Sequence, residues 1–286
     1  MKVAIATCES EVQTNTDDAL VLQSLRQNGV DAELVVWDNA VIKWDQFNVV
    51  ILRSVWDYTR KHTQFIQWIN EVATRTILLN SAETVLWNLN KRYMHDLEFN
   101  GIPVVQTAYT ADYEPESVEE IIVENGWSDV VLKPSISAGG YHALLLKNPS
   151  SSDISSALNQ LPDTGECMIQ PLQEAILNEG EYSAVYINGK VSHLIRKFAK
   201  EGEFRVQPQH GGGEELLPVT REVRRFAEEI IGAIDPEPLY ARIDYIRSAD
   251  GNQKLMELEL IEPNLFLRYS EEAVENLTRG IMRMGE

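Results

Sequence analysis

Three acidic side chains near the end of this 286-residue chain are spaced to act together. In LMELELIEPNLF, Leu255 to Phe266, Glu257 and Glu259 alternate with the apolar Met256, Leu258 and Leu260, so on a strand both carboxylates project from one face. Upstream, Asp250-Gly251 marks a hairpin tip, and an even-length loop centred there sets Asp244 opposite Glu257 and Arg242 opposite Glu259. Opposed residues on one face have Cβ atoms about 4.5 to 5.5 Å apart. At that separation, with an effective dielectric of about 20, each like-charge pair costs roughly 3 kcal/mol. An uncompensated trio would gain or barely lose metal-free stability on losing one charge. On the hairpin alone, two accounts of Asp244, Glu257 and Glu259 are equally good. They are hard oxygen ligands for Mg²⁺ or Mn²⁺ beside phosphate oxygens, or an ion-pair cluster in which Arg242 neutralises part of the charge.

Other stretches suit a nucleotide. In VVLKPSISAGG, residues 130–140, Lys133 ends a strand, and the turn through Ser135, Ser137, Gly139 and Gly140 offers small side chains and backbone N–H groups to a phosphate chain. The lysine precedes the glycines, which excludes a Walker A loop. Taken alone, such a stretch is more often just a turn. Lys91, in LNKRYM, supplies a second point charge. In MIQPLQEAILNEGEYS, Pro171 breaks strand pairing and can leave backbone groups free for an adenine edge, with Glu181 placed for a ribose hydroxyl; a linker with solvated acids is the plainer account. In HLIRKFAKEGEFRVQPQHGGGEE, Arg196, Lys197 and Arg205 gather positive charge beside the unrestricted Gly211 to Gly213. That pairing reads as an anion-binding strand with a mobile lid, or as a surface hairpin.

The scaffold for these residues is globular, with 44% hydrophobic and 24% charged residues. A formal charge of −19 argues against a nucleic-acid or anionic-membrane surface. Cys8 and Cys167 stand alone in no metal-like spacing, which suits a reducing cytosol. The first residues start a strand directly and no window reaches the length of a membrane span, so a soluble cytoplasmic protein is expected. A homo-oligomer is left open.

Strand and helix alternate through the first hundred residues, predicting a parallel sheet covered by helices. No glycine occurs in ATCESEVQTNT after the first strand, which removes a Rossmann dinucleotide site. One helix is expected through AETVLWNLNKRYMHDLEFNG, then a small α+β lobe, then a strand-rich region with a terminal helix from about Glu271. The resulting α/β and α+β division is an N-terminal domain over 1–108, a central lobe over 109–175 and a C-terminal lobe over 176–286.

In order, Lys91, LKPSISAGG, MIQPLQEA, GEYSAVYINGKV, the Arg205 and triple-glycine segment, RIDY and ELELIEPN resemble the ATP-grasp superfamily, in its glutathione synthetase-like branch. The resemblance covers roughly residues 85–270 and implies an ATP-grasp fold with ATP and Mg²⁺ (or Mn²⁺) as cofactors. Residue by residue, it implies that Lys91 and Lys133 contact ATP and that the 135–140 turn covers the phosphates. It further implies that Gln170, Pro171, Leu172 and Gln173 recognise adenine, that Glu181 binds ribose and that Asp244, Glu257 and Glu259 bind metal. Glu259 departs from the asparagine usual in glutathione synthetases, which affects metal stoichiometry. Lys197 and Arg205 match substrate or acyl-phosphate contacts, and Arg205 and Arg242 would neutralise transition-state charge.

Further upstream, LRSVWDYT resembles O-ureido-serine cyclo-ligase-like enzymes of cycloserine formation. Following a parallel strand, it puts Arg53, Asp57 and Tyr58 where α/β ligands gather, facing Lys197, Arg205 and Arg268. Asp57 would take the ammonium of a small zwitterion; the competing account packs Trp56 and Tyr58 between lobes and pairs Arg53 with Asp57. The implied activity is ATP-dependent carboxylate–amine ligation through an acyl phosphate. A glutathione- or peptide-type ligase, a nucleotide-binding regulatory protein without turnover and a metal-binding structural protein are the alternatives.

Overall fold

The computed structural model describes residues 1–111, 113–140, 142–162, 166–206 and 210–285. The first apolar runs form β1 (Lys2–Thr7), β2 (Asp31–Val36), β3 (Val49–Leu52) and β4 (Ile77–Leu79), a parallel sheet in the order β2-β1-β3-β4. Every residue of β3 is buried, as a strand covered on both faces requires. Helix α1 (Thr16–Gln27) covers one face through Val21 and Leu25. Its N-cap is Asn15, whose side chain accepts the Asp18 N–H. The other face is covered by α2 (His62–Ala73), whose Phe65, Trp68, Ile69 and Val72 pack with Trp37 and Trp44.

The single helix expected next is two: α3 (Ala82–Asn88) and α4 (Tyr93–Phe99). The break lets the Lys91 N–H reach the Ser135 carbonyl at 2.9 Å, bringing this lysine to the central lobe. That lobe contains β5 (Ala108–Thr110), α5 (Pro115–Asn125), β6 (Asp129–Pro134), β7 (Leu144–Lys147), α6 (Ser151–Leu158) and β8 (Cys167–Pro171). Its strands form an antiparallel sheet in the order β5-β8-β6-β7. A short α7 (Glu174–Asn178) follows.

The largest sheet is antiparallel, in the order β11-β10-β9-β12-β13, with β9 (Glu181–Ile187), β10 (Lys190–Phe198), β11 (Gly213–Leu217), β12 (Tyr240–Arg247) and β13 (Gln253–Glu259). On one face, Tyr182, Ala184, Tyr186, Ile243 and Tyr245 pack against α8 (Arg221–Ile231) and α4. On the other, Val185, Ile187, Ile195 and Tyr240 pack against the parallel sheet, α1 and the terminal helix α9 (Glu271–Met284). The same face continues, at the far ends of the strands, into Glu181, Ser183, Lys197, Asp244, Glu257 and Glu259.

The final hairpin has the expected pairing for an unexpected reason. Asp244 faces Glu257 and Arg242 faces Glu259. At the tip, however, Arg247 faces Gln253, and the Ser248 N–H donates to the Asn252 carbonyl at 2.9 Å, so the loop is odd in length. The register shifts between Asp244 and Tyr245, leaving Met256 as an extra residue on β13 that restores the even count. This bulge lets Leu255 and Leu258, three apart, both enter the core while Glu257 and Glu259 stay on the opposite face.

The triple glycine is not an unrestricted lid. A Cβ on Gly212 would lie 2.0 Å from the Val206 carbonyl oxygen, and one on Gly213 would lie 2.3 Å from the Phe198 ring. Close approach, rather than loop mobility, is why these positions need glycine. Gln207 to Gln209, which precede the triple glycine in the same segment, lie outside the described residues. No helix among the described residues is long and apolar enough to cross a membrane.

Candidate active site

Between the central antiparallel sheet and the large one lies a cleft lined by Lys91, Lys133, Ser137, Gly139 and Gly140 on the turn side. Its other walls are the hinge Gln170 to Gln173, then Glu181, Arg205, Met256 and Glu257. Gly139 and Gly140 both have positive φ, 62° and 69°, which makes the turn sharp enough to present its backbone inward. Every residue assigned to ATP from sequence lines this cleft except Ser135. That serine is fully buried beneath the turn, where its carbonyl anchors Lys91 instead of meeting a ligand.

At Glu257 the cleft meets a cluster of carboxylates. Oxygens of Asp244, Glu257 and Glu259 all lie within 4.8 Å of one another. They are not an uncompensated trio. Arg242 Nε and Nη2 donate to both oxygens of Asp244 at 2.8 to 3.1 Å, and Nη2 also reaches Glu259. Lys91 Nζ lies 2.9 Å from Glu257 and donates to the Ser137 carbonyl at 2.6 Å. Lys197 Nζ lies 3.1 Å from Asp244 and pairs with Glu181, while the Ser183 hydroxyl donates to Asp244 at 2.5 Å. The ion-pair account left open by the sequence is therefore present in the structure, and the same three carboxylates still converge as a set of hard-oxygen donors held by basic side chains.

These neighbours sort the acids. Burial opposes ionisation of Asp244, but Arg242 and Lys197 outweigh it and hold this carboxyl well below the usual carboxylate range. Burial likewise opposes the Glu257 charge, and Lys91 with Lys133 overcomes it, lowering that pKa. For Glu259 burial prevails over Arg242, and its pKa is pushed up to about 7. Glu262, missed as a site residue, is pushed up to about 8 by burial and by Glu259. With Glu259 as a ligand, a divalent ion would have to displace its proton below about pH 7. Apparent Mn²⁺ affinity of the nucleotide-free protein should therefore rise roughly tenfold per pH unit up to that point and then level off. Calorimetric titrations at several pH values would read this, and a flat profile would remove Glu259 from the ligand set.

Lys133 differs from the other basic residues. Among the described residues nothing hydrogen-bonds or ion-pairs with its ammonium; burial lowers its pKa and Glu257 acts on it only at longer range. A desolvated ammonium aimed into a cleft beside a glycine turn is a ready partner for a phosphate oxygen.

Several residues assigned to ligand contacts already have partners within the chain. Pro171 remains in register opposite Val130, and the Leu172 N–H, counted on for adenine, donates to the Asp129 carbonyl at 2.8 Å. Gln170 donates from its side chain to Thr107 Oγ1 at 2.8 Å, and Gln173 Nε2 donates to the Pro171 carbonyl at 2.9 Å. Lys197 and Glu181, assigned to substrate and ribose, are bound to each other because they face across β9 and β10. Arg205 lines the cleft but is held by Glu203 at 2.7 Å.

At the parallel sheet the expected group separates. Asp57 accepts from Trp37 Nε1 at 2.7 Å and from Lys61 Nζ at 2.5 Å, which commits its carboxylate to the N-terminal domain. Arg53 pairs with Asp18 instead, 3.5 Å away. Tyr58 is buried against the Phe65 ring, 4.9 Å between centroids, and borders the carboxylates with Glu262. Arg268 is held by Glu214 and lies with Arg53 in a separate crevice. Asp17, Asp18 and Asn264 were missed: nothing local in sequence marks acids in a helix's first turn as more than dipole partners.

Residues 93–266 match the model of the prokaryotic glutathione synthetase ATP-grasp domain. The chain belongs to the ATP-grasp family. Residues 3–80 match the N-terminal domain of D-cycloserine synthetase DcsG. Cycloserine biosynthesis protein DcsG of Streptomyces lavendulae is 26% identical over 296 residues, covering 98% of this chain and 97% of its own. A probable alpha-L-glutamate ligase of Aeromonas salmonicida is 26% identical over 179 residues, covering 62% of this chain and 57% of its own. The crystal structure of D-cycloserine synthetase DcsG superposes with a TM-score of 0.90 at 23% identity, covering 100% of both chains. The ATP-grasp ligase PsnB, complexed with its precursor peptide and AMPPNP, gives 0.67 at 17% identity, covering 100% of this chain and 97% of that one. This ATP-grasp chain is an ATP-dependent ligase that uses a divalent metal.

Proposed function

We propose that this ATP-grasp ligase activates the carboxylate of a small amino-acid-like substrate with Mg-ATP and joins it to a nitrogen of the same molecule, closing a ring amide. The observation that carries this reading is the convergence of Asp244, Glu257 and Glu259 within 4.8 Å, with Glu257 lining a cleft that also presents Lys133 and the Gly139-Gly140 turn. Three carboxylate oxygens are a donor set for Mg²⁺, which when bound would neutralise phosphate charge during phosphoryl transfer. The cyclising step is favoured by the whole-length likeness to a cycloserine biosynthesis protein.

The chemistry asks for no protein nucleophile. A substrate carboxylate oxygen attacks the γ-phosphorus, the bond to the β-phosphate oxygen breaks and ADP leaves. The substrate nitrogen then attacks the acyl carbon, inorganic phosphate leaves with the carbon–oxygen electron pair, and the nitrogen loses a proton. Lys91 and Lys133 bind phosphate oxygens. Arg242 and Arg205 border the path of the transferred group and stabilise its charge.

Lys133→Ala should weaken Mg-ATP binding by about 1.5 to 3 kcal/mol, roughly ten- to a hundredfold, because a charge-assisted contact is lost. Calorimetry giving wild-type affinity would take Lys133 out of the site. A coupled ADP-release assay, run with Mg²⁺ and with Mn²⁺ over a panel of amino acids, tests the whole reading. Stimulation by an O-substituted serine supports it; a preference for γ-glutamylcysteine or longer peptides favours a peptide-type ligase. Nucleotide binding without ADP release would mark a regulatory protein.

A further inference from the structure

A second concavity collects charge at the C-terminal edge of the parallel sheet. Its walls include Glu11, Asp17, Arg53, Trp56, Asn264 and Arg268. In the order β2-β1-β3-β4, the chain leaves β1 through α1 towards β2 and takes up β3 on the other side. The loops after β1 and β3 therefore diverge, and a crevice opens where the strand order reverses, the usual ligand site of open α/β sheets. The Cys8 N–H donates to the Ser54 carbonyl and the Arg53 N–H to the Ala6 carbonyl, each at 3.0 Å, fastening the strand ends beneath it.

Its polar atoms are unusual in two complementary ways. Arg53 is 2% exposed, yet among the described residues its Nε and Nη1 have no hydrogen-bond acceptor; Asp18, at 3.5 Å, is an ion-pair partner only. Asp17 and Asp18 are buried, and among the described residues Oδ1 of each has no hydrogen-bond donor, the Asp18 Oδ1 being the atom that ion-pairs with Arg53 Nε. The other Asp17 oxygen accepts the Leu267 N–H at 3.1 Å, which fixes the carboxylate's orientation, and Arg268 Nη1 stands off at 4.0 Å. Buried polar groups without hydrogen bonds are rare, and here ion-paired donors and acceptors of opposite charge lack them together. A ligand completing both must carry an anionic acceptor and a cationic donor a short distance apart, as the head of an α-amino acid does.

Residues of the crevice also touch Arg242, which holds the carboxylate cluster. The Arg53 guanidinium lies over the Tyr240 ring, 5.7 Å from its centroid. Tyr240 and Arg242 are successive residues on one face of β12. Arg242 Nη1 donates to the carbonyl of Asn264, a crevice residue, at 3.4 Å. Arg242 and Arg268 both lie over the Phe266 ring, at 5.9 and 5.3 Å.

We propose that this switch-point crevice seats the amino-acid head group of the substrate, with the ammonium on Asp17 and the carboxylate between Arg53 and Arg242, beside the three acids. The proposal rests on the ligase reading and names the site of its substrate. Arg53 binds the carboxylate directly, and Asp18 is a positioning residue that holds Arg53.

The test compares O-ureidoserine, in both enantiomers, with its desamino counterpart 3-(ureidooxy)propanoate. Binding is read by calorimetry in the presence of Mg-AMPPNP, and turnover by ADP release. The wild-type protein should bind the amine-bearing acid at least tenfold more tightly. In Asp17→Asn that preference should collapse, KM should rise at least tenfold and Mg-AMPPNP affinity should stay unchanged. A purely structural Asp17 would lower the melting temperature without altering the preference. If Asp17→Asn does not fold, the wild-type comparison still decides, because equal binding of the two acids overturns the proposal. Retention of wild-type KM and preference in Asp17→Asn overturns it too. Tight, Asp17-dependent binding of O-ureidoserine without ADP release would uphold the crevice and defeat the ligase reading instead.

Discussion

Glu257→Gln is expected to lower Mg²⁺-dependent ADP release by at least about a hundredfold, since one charged ligand of a site supplying several kcal/mol of charge stabilisation is lost. The same substitution should also destabilise the metal-free protein, reversing the sign expected from three mutually repelling acids. Glu257 lies 2.9 Å from Lys91 and helps offset the buried ammonium of Lys133. Breaking a buried pair costs about 3 to 5 kcal/mol; with the Glu257 side chain still 26% exposed, screening brings the expectation down to about 1 to 3 kcal/mol. Thermal melts and turnover measured on one preparation read both effects. A large loss of melting temperature with unchanged turnover would make the cluster an ion-pair network and nothing more.

Arg242→Ala should have the larger effect on stability. Its guanidinium makes three contacts of 2.8 to 3.1 Å with Asp244, which is 1% exposed, and a further one with Glu259. Removing it leaves Asp244 with Lys197 and Ser183 alone and should cost about 3 to 5 kcal/mol in the metal-free state. Turnover should fall roughly a hundred- to a thousandfold, as for loss of a preorganised donor at a site of developing charge. Lysine should not restore it, because a point charge cannot reproduce the forked geometry across two carboxylates. Mg²⁺ should raise the melting temperature of the variant more than that of the wild type, since a cation bound only by the folded chain replaces part of the missing charge. Equal melting temperatures of variant and wild type without metal would show that Arg242 is not the keystone of this cluster.

What was legible in the sequence follows from how local each signal is. The parallel sheet was readable because β3, VVIL, is buried on both faces and has nothing polar to disguise it. The facing of Asp244 and Glu257 was readable from the turn only because two departures cancel, an odd loop and the Met256 bulge, neither of which the Asp-Gly pair announces. Lys133 and the Gly139-Gly140 turn were readable because strand end and turn are adjacent in sequence. The break between α3 and α4 was not, since AETVLWNLNKRYM has no glycine or proline to mark it and only the long-range bond to Ser135 shows why it breaks at Lys91.

Charge partners were the least legible. Arg53 pairs with Asp18, thirty-five positions away in the first turn of α1, while Asp57, four residues along, turns to Trp37 and Lys61. Lys197 carries a charge that sequence alone assigns to a ligand, but cross-strand register gives it to Glu181. A very acidic chain supplies an internal partner for most of its basic residues. The informative exceptions, Lys133 and the open nitrogens of Arg53, emerge only after tertiary pairing has been counted.

The central claim is that a substrate carboxylate, and not water, takes the γ-phosphoryl group of ATP. It is tested most directly by incubating the protein with Mg-ATP and O-ureidoserine labelled with ¹⁸O in its carboxylate, then analysing the released phosphate by mass spectrometry. Capture of an acyl phosphate by nitrogen leaves one carboxylate oxygen on phosphorus, so one ¹⁸O should appear in inorganic phosphate for each ADP formed. Unlabelled phosphate accompanying that ADP would mean hydrolysis by water and would contradict the ligase account.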